Sequence, residues 1–561
     1  MVFKRSYLCA PALMLAGRVL IATIALGFSS AFIPASAQDS VAIPAEAIVD
    51  ETALQEVLQR GYELECEQRW SEALGYYEDA VRDHPQRRDL QERLTRARIQ
   101  YDLGRRYEDP TFTTWVARLS EREALDVFSE VLRKIESHHV QRPDWYSLAE
   151  RGVNNLGIAL TRQTFCQANS LTAPSGTRDA FFEQIRRRMT VTTIRSRHDV
   201  TDVATTVARL AQEQLGLRPA STILEFTCGA MCTLDQYSSF LTSGQLEDVF
   251  SQIEGNFVGL GIELKAEQDS LAIVNVIPGG PARDAGLRSG DRIVRVDGES
   301  LASDITTDEA ADMLKGPDGS EVVITVIDPE GRSRDLRLIR RRIEVPSVEN
   351  AKIIDPEHGI AYLRLTGFQK TTSRDFDAAL WDLHRQGMQS LIVDLRGNPG
   401  GLLTAAVDVA DKFVASGRIV STRGRNAHED FDYSAHATGT WRVPLTVLID
   451  GNTASASEIL AGAIRDNHRG TVVGQRSYGK GSVQGIFSLH TSSAGVRLTT
   501  AKFYSPEGYA ISKRGVYPDL TVRTTNKPTD NGSVAVVEKD DPVLKAALQV
   551  ARNNLLSQRG G

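Results

Sequence analysis

The sequence of 561 residues predicts a multidomain α/β protein with a helical N-terminal region. Three patterns carry that expectation. From Val345 to Val522, apolar strand-like runs alternate with amphipathic helical stretches, the signature of an α/β core. Over residues 248–332, short alternating runs are broken by glycine and proline turns. Before residue 248, apolar residues recur at helical spacing, as at Ala124, Val127, Phe128, Val131, Leu132 and Ile135. A chain of this length is too long for one hydrophobic core.

Residues 1–37 read as an export signal. Lys4, Arg5 and Arg18 form a basic leader, Val19–Ile33 is mostly apolar, and Ala35-Ser36-Ala37 is a small-residue cleavage site. The apolar run is shorter than the ~20 residues of a membrane span. The expected location is therefore periplasmic or cell-envelope, with an uncleaved signal acting as an anchor as the alternative. Cleavage removes Cys9 and leaves Cys66, Cys166, Cys228 and Cys232. Cys228 and Cys232 are read either as a small disulfide loop or as two free thiols. With no His or Cys nearby to complete a ligand set, no metal is expected.

Residues 51–106 read as helices. Ala73, Tyr77, Ala80 and Pro85, with Gly61 before them, resemble the spacing of a tetratricopeptide unit. One such unit cannot bury both faces, so it caps the next domain or makes a partner, adaptor or homo-oligomer contact. Residues 120–247 continue as helices, with Leu234–Leu246 read as a turn at Asp235 and Ser238-Ser239 leading into a helix. The module over 248–332 has strands at Ile262–Leu264, Leu271–Val276, Arg292–Val296 and Glu321–Asp328, and short helices after Pro281 and over Asp308–Lys315. The glycine loop Gly259-Leu260-Gly261-Ile262, the turn Pro278-Gly279-Gly280-Pro281-Ala282, Gly290-Asp291 and Asp297-Gly298 occur in the order seen in PDZ domains, which this module resembles. Successive N–H groups of such a loop can cup a C-terminal carboxylate while the peptide adds as a strand to the sheet edge. Residues 345–523 form the α/β core, Thr525–Ser533 a polar linker, and 541–556 a closing helix capped by Asp541 with Pro542 in its first turn.

The formal net charge of -7 argues against a general nucleic-acid binder. Two segments carry chemistry instead. Thr453-Ala454-Ser455-Ala456-Ser457-Glu458 offers serines among small residues at a loop-to-helix junction. Ser477-Tyr478-Gly479-Lys480-Gly481-Ser482-Val483-Gln484 holds a lysine between glycines, with a glutamine one helical turn further on. A serine hydroxyl needs an adjacent base, and a lysine serves as one if burial keeps its amine neutral. The rival base is a histidine, from among His358, His384, His428, His436, His468 and His490. His468 reads instead as a helix C-terminus residue suited to the helix dipole. No His-Glu-x-x-His metal motif occurs.

Together with Val393-Asp394-Leu395-Arg396-Gly397-Asn398-Pro399-Gly400-Gly401, these segments resemble the motifs of the C-terminal processing peptidases, tail-specific serine proteases with a PDZ domain. Leu498–Tyr504, Gly515–Asp519 and Leu234–Leu241 fit the same family, over residues 120–556 in all. The resemblance implies a ClpP/crotonase-like core. It makes Ser455, 25 positions before the lysine, the nucleophile, Lys480 the general base and Gln484 the residue that orients it. It leaves Ser457 in the first helical turn to cap the helix. Backbone N–H groups of Ala456 and of Gly400 or Gly401 are the expected oxyanion donors, with Asp394 and Arg396 pinning the loop. The substrates would be proteins with free C-terminal tails, and no cofactor is needed. An inactive scaffold that only binds C-termini is the alternative, and a hydrolase of small esters a second one.

Overall fold

The computed structural model describes residues 51–232, 234–267, 269–301, 313–522 and 541–559. The expected signal sequence, residues 308–312 of the second short helix expected in the PDZ-like module, and the expected polar linker lie outside the described residues. Contacts divide the chain into Met1–Arg60 and Gly61–Gly561, and among the described residues every sheet belongs to the second unit.

The sheet of the α/β core has six strands. Ile360–Leu365, Ser390–Asp394, Leu445–Ile449 and Thr471–Gly474 are parallel and adjacent, with Leu363, Val393, Val447 and Val472 in register across them. Leu520–Thr521 adds parallel at one edge and Val348–Asp355 antiparallel at the other. The central strands are buried on both faces, hence their unbroken apolar runs. Ala361, Leu363 and Leu365 face helices Thr372–Arg385, Leu403–Asp411 and Ala456–Asp466. Ile360 and Tyr362 point the other way, against the closing helix Pro542–Arg559. Asp541 caps that helix as expected, accepting the N–H groups of Val543 and Leu544 at 3.0 Å.

A second sheet is organised around Gly495–Tyr504, which pairs with Arg418–Gly424, Ser482–Ser488 and Ser239–Leu241. Its Val496 and Leu498 enter the helical core formed by residues 103–231. The helical region is thus packed directly against the strand that pairs with the one carrying Gln484. Here the structure corrects the reading of 234–246: Ser239–Leu241 is a strand, and the helix begins at Ser243 and runs to Glu254.

The PDZ-like module has its own core and a sheet ordered Ile262–Glu267, Ser270–Val276, Arg292–Val296, Glu321–Ile327, Ser333–Ile339. The last strand lies beyond residue 332, so the module extends further than its turns suggested. Ile262–Glu267 is an edge strand. Gly261 enters it at φ +77, a conformation open to glycine. Leu260 is buried, and its carbonyl accepts the Ala282 N–H at 2.9 Å.

Near the N-terminus, helices span Glu51–Cys66, Trp70–Asp83 and Arg88–Glu108. Gly61 lies against the Tyr77 ring, where a Cβ would come within 2.4 Å of it. Ala73 and Tyr77 are fully buried. Cys228 and Cys232 are free thiols. They lie at the end of the buried helix Pro219–Met231, and burial pushes both thiols up, Cys232 to about 12.

Candidate active site

Strand Leu445–Ile449 leads into a tight turn governed by Asp450. Its Oδ1 accepts the N–H groups of Asn452, Thr453 and Gly397 at 3.0, 2.9 and 3.0 Å. Thr453, fully buried, donates from Oγ1 to the Leu395 carbonyl at 2.9 Å and locks the turn to the neighbouring strand end. Two residues later Ser455 adopts φ 59°, ψ -118°, immediately before helix Ala456–Asp466. A non-glycine residue held there stores about 1–3 kcal/mol of strain, which the surroundings must offset. A strained strand-turn-helix position presents a hydroxyl away from its own helix.

The two serines separate cleanly. Ser457 is fully buried, and its Oγ donates to the Asn398 carbonyl at 3.1 Å. It pins the loop rather than capping the helix, a correction to the sequence reading. Ser455 is half-buried and stands at the junction.

Glu458 joins the serine to the lysine. It is fully buried, yet it receives four donors. Oε2 accepts Ser455 N–H at 2.8 Å and Lys480 N–H at 2.9 Å; Oε1 accepts Gly479 N–H at 2.7 Å and Ser477 Oγ–H at 2.5 Å. One carboxylate oxygen thus holds the backbones of Ser455 and Lys480 together. Burial pushes the Glu458 carboxyl up, and these donors pull against it. Gly481 allows the approach of the lysine loop to Ser512, whose N would lie 2.2 Å from a Cβ at 481.

Burial also pushes the Lys480 amine below its ordinary value; the Arg497 guanidinium adds to the effect and Glu458 opposes it. The amine lies over the Tyr237 ring, 5.1 Å from its centroid. Gln484 sits on strand Ser482–Ser488, not a helical turn beyond the lysine, and its Nε2 donates to Ser482 Oγ at 2.9 Å.

Gly400 and Gly401 have different places. Gly400 is buried on the serine: a Cβ there would lie 2.7 Å from Ser455 Cβ and 2.8 Å from Ala456 N. Its N–H donates to Asn398 Oδ1 at 2.9 Å. Gly401 is exposed, at φ +141, with its Cα against the Phe368 backbone. Ala456 is the first residue of the serine helix, where backbone N–H groups are left without helical acceptors. Arg396 bonds Asp394 at 2.6 Å and Asp541 at 2.8 Å, fixing this loop to the closing helix. Among the histidines, His358 bonds Asp355 and His436 bonds Asp411, both at 3.1 Å. His468 follows the serine helix at φ 51, at its C-terminal end.

Residues 359–522 match the model of peptidase family S41, and residues 273–328 match a PDZ domain. A carboxy-terminal-processing protease of Bartonella bacilliformis is 38% identical over 303 residues, 52% of this chain and 68% of that protein. The chain belongs to the C-terminal processing peptidases. A chloroplastic C-terminal processing peptidase of Tetradesmus obliquus is 33% identical over 55% of this chain and 69% of its own length. Among solved structures, a photosystem II D1 C-terminal processing protease is 26% identical over 71% of this chain and 93% of its own, with a TM-score of 0.37. The peptidase is therefore a serine-type enzyme carrying a PDZ domain.

Sequence reasoning missed three residues of this site. Glu458 stands three positions after Ser455, a capping-box spacing that could have signalled its bond to the Ser455 N–H. Tyr237 and Arg497 arrive from the helical region's exit and the second sheet, far away in sequence, with no local signal. Among the described residues no three or more His, Cys, Asp or Glu side chains cluster so as to hold a metal ion, and no helix is long and apolar enough to cross a membrane.

Proposed function

We propose that the protein is an exported serine endopeptidase that captures the free C-terminal tails of protein substrates and cleaves them through a Ser455–Lys480 pair. The observation that carries this reading is the single Glu458 oxygen bonded to both Ser455 N and Lys480 N. Ser455 Oγ attacks the scissile carbonyl carbon while Lys480 Nζ takes the hydroxyl proton. The carbonyl π pair moves to oxygen, giving a tetrahedral oxyanion. The Ala456 N–H and, because the Gly400 N–H is held by Asn398 Oδ1, the Gly401 N–H receive that oxyanion, and loss of one such donor costs roughly 3–4 kcal/mol of barrier. The ammonium of Lys480 then protonates the leaving amine as the C–N bond breaks. In the second half Lys480 takes a proton from water, the resulting hydroxide displaces Ser455 Oγ from the acyl carbon, and Ser455 regains its proton.

This chemistry needs Lys480 uncharged at rest, which the lowered basicity of its amine supports. Gln484, which donates to Ser482 Oγ, would have to leave that bond to orient the amine. The loop Gly259-Leu260-Gly261-Ile262 cups the tail carboxylate, and the tail adds to edge strand Ile262–Glu267. Labelling by a fluorophosphonate probe tests the reading. The wild type labels, and Ser455→Ala and Lys480→Ala do not; a wild type that fails to label is a scaffold that binds tails without cutting them. Cleavage of peptides with free rather than amidated C-termini tests the tail preference.

A further inference from the structure

A groove of about 1080 Å³ lies between the helix Arg88–Glu108, the helix Trp145–Ala159 with the turn after it, and the helix Ser175–Val191. None of its lining belongs to the site described above. Four arginines line it, Arg88, Arg96, Arg151 and Arg178, against two carboxylates, Glu92 and Asp179. Ile99, Ile158 and Phe182 supply apolar surface. Gln100 also lines the groove. It is 6% exposed, and its Oε1 has no hydrogen-bond partner. A buried acceptor without a donor is rare in folded proteins, and here it marks the wall of the groove. Arg178 Nε is likewise buried and unpartnered.

We propose that this groove binds an acidic segment of another protein chain that carries an apolar anchor. The arginine excess selects negative charge, and the apolar lining accepts one or two large side chains. The apolar lining and the two carboxylates decide between an acidic polypeptide and a phosphate-rich polyanion: Glu92 and Asp179 repel a uniformly charged chain, and Ile99, Ile158 and Phe182 leave room for apolar side chains that a polyphosphate lacks. The site would hold a partner protein apart from the PDZ edge strand.

The test uses the full chain with Ser455→Ala, so that nothing is cut. The probe is a fluorescein-labelled peptide EELEEFEE with an amidated C-terminus, which denies the PDZ module its carboxylate. Micromolar binding is expected, about tenfold weaker for the paired change Arg88→Glu/Arg151→Glu and for the uncharged peptide QQLQQFQQ. Binding should weaken as salt rises from about 50 to 300 mM. In the Ser455-containing protein, the paired arginine change should leave cleavage of a short peptide unchanged. The proposal is overturned if the acidic peptide binds no tighter than the uncharged one, if charge reversal has no effect, or if a polyphosphate of equal charge binds as well.

Discussion

Replacing Glu458 by glutamine tests whether one buried carboxylate assembles the site. The carboxylate receives Ser455 N–H and Lys480 N–H on Oε2, and Gly479 N–H and Ser477 Oγ–H on Oε1. Glutamine keeps one acceptor oxygen and turns the other into an NH2 group facing two donors. Two charge-assisted bonds are lost, each worth about 1.5–3 kcal/mol. Removing a charge whose burial is already unfavourable offsets part of this, so the net loss falls near the lower bound, about 3 kcal/mol. If that loss loosens the serine and lysine loops, kcat/KM falls on the order of 100-fold.

A pH profile separates this from general misfolding. The Glu458 charge raises the basicity of Lys480. A general base is active when deprotonated, so activity climbs as pH rises through its pKa. Without the carboxylate that pKa drops, and the acid limb of kcat/KM moves to lower pH in Glu458→Gln even as the maximum falls. Steady-state cleavage of a tail-bearing peptide from pH 5 to 10, with circular dichroism as a fold control, reads both effects. Activity within about threefold of wild type would refute the reasoning, because the carboxylate would then not be holding the loops. A lowered maximum with an unmoved limb would sever the electrostatic link to Lys480.

Arg497→Met removes the positive neighbour that disfavours the Lys480 ammonium, so its acid limb moves to higher pH, the opposite direction, by the same assay. Lys480→Met abolishes fluorophosphonate labelling and raises thermal stability; because the folded state holds that amine below its unfolded basicity, the gain is larger at pH 6 than at pH 9 in melting curves. Gly400→Ala places a Cβ 2.7 Å from Ser455 Cβ at φ +102 and eliminates turnover, while the PDZ module, with its own core, still binds a tail peptide in a titration. Arg82→Ala loses a stacking contact of about 0.5–1 kcal/mol on Tyr478 and lowers kcat about two- to fivefold in steady-state assays.

Much of the core was readable because its signals are local. The runs Leu391–Leu395 and Leu445–Ile449 announce strands buried on both faces, and both are found there. Asp541-Pro542 announces a helix start, and the caps are formed. The choice of Ser455 over Ser457 came from resemblance alone. What separates the two physically, a strained φ at one and a buried bond to Asn398 at the other, is invisible in a string of small residues. Strand Ser239–Leu241 was missed because three residues pair with Arg497, Val496 and Gly495, more than 250 positions away, and so short a run has no periodicity of its own. Gln484 misled for a related reason: a spacing of four suggests a helix, but the glycines around Lys480 belong to a loop, and the glutamine lies on the next strand.

The same separation in sequence explains why Glu458 has to be buried and charged. The serine and the lysine arrive on loops that leave different strands of one sheet, and no local structure sets the distance between them. A neutral side chain at 458 could satisfy one loop or the other. A carboxylate has two oxygens with several lone pairs, enough to accept four donors from both. Its charge carries a cost in a buried site, and the four donors and the Lys480 loop are what offset it. The strain at Ser455 is met by the same group, since its N–H is held by Glu458 while the Glu458 N–H donates to the Ser455 carbonyl at 2.9 Å. Arg82 reaches the other side of this arrangement. It stacks on Tyr478, whose N–H donates to the Thr453 carbonyl at 2.9 Å, so a helix outside the matched family region touches the strut between the two loops. A change in that helix can therefore alter turnover without touching substrate.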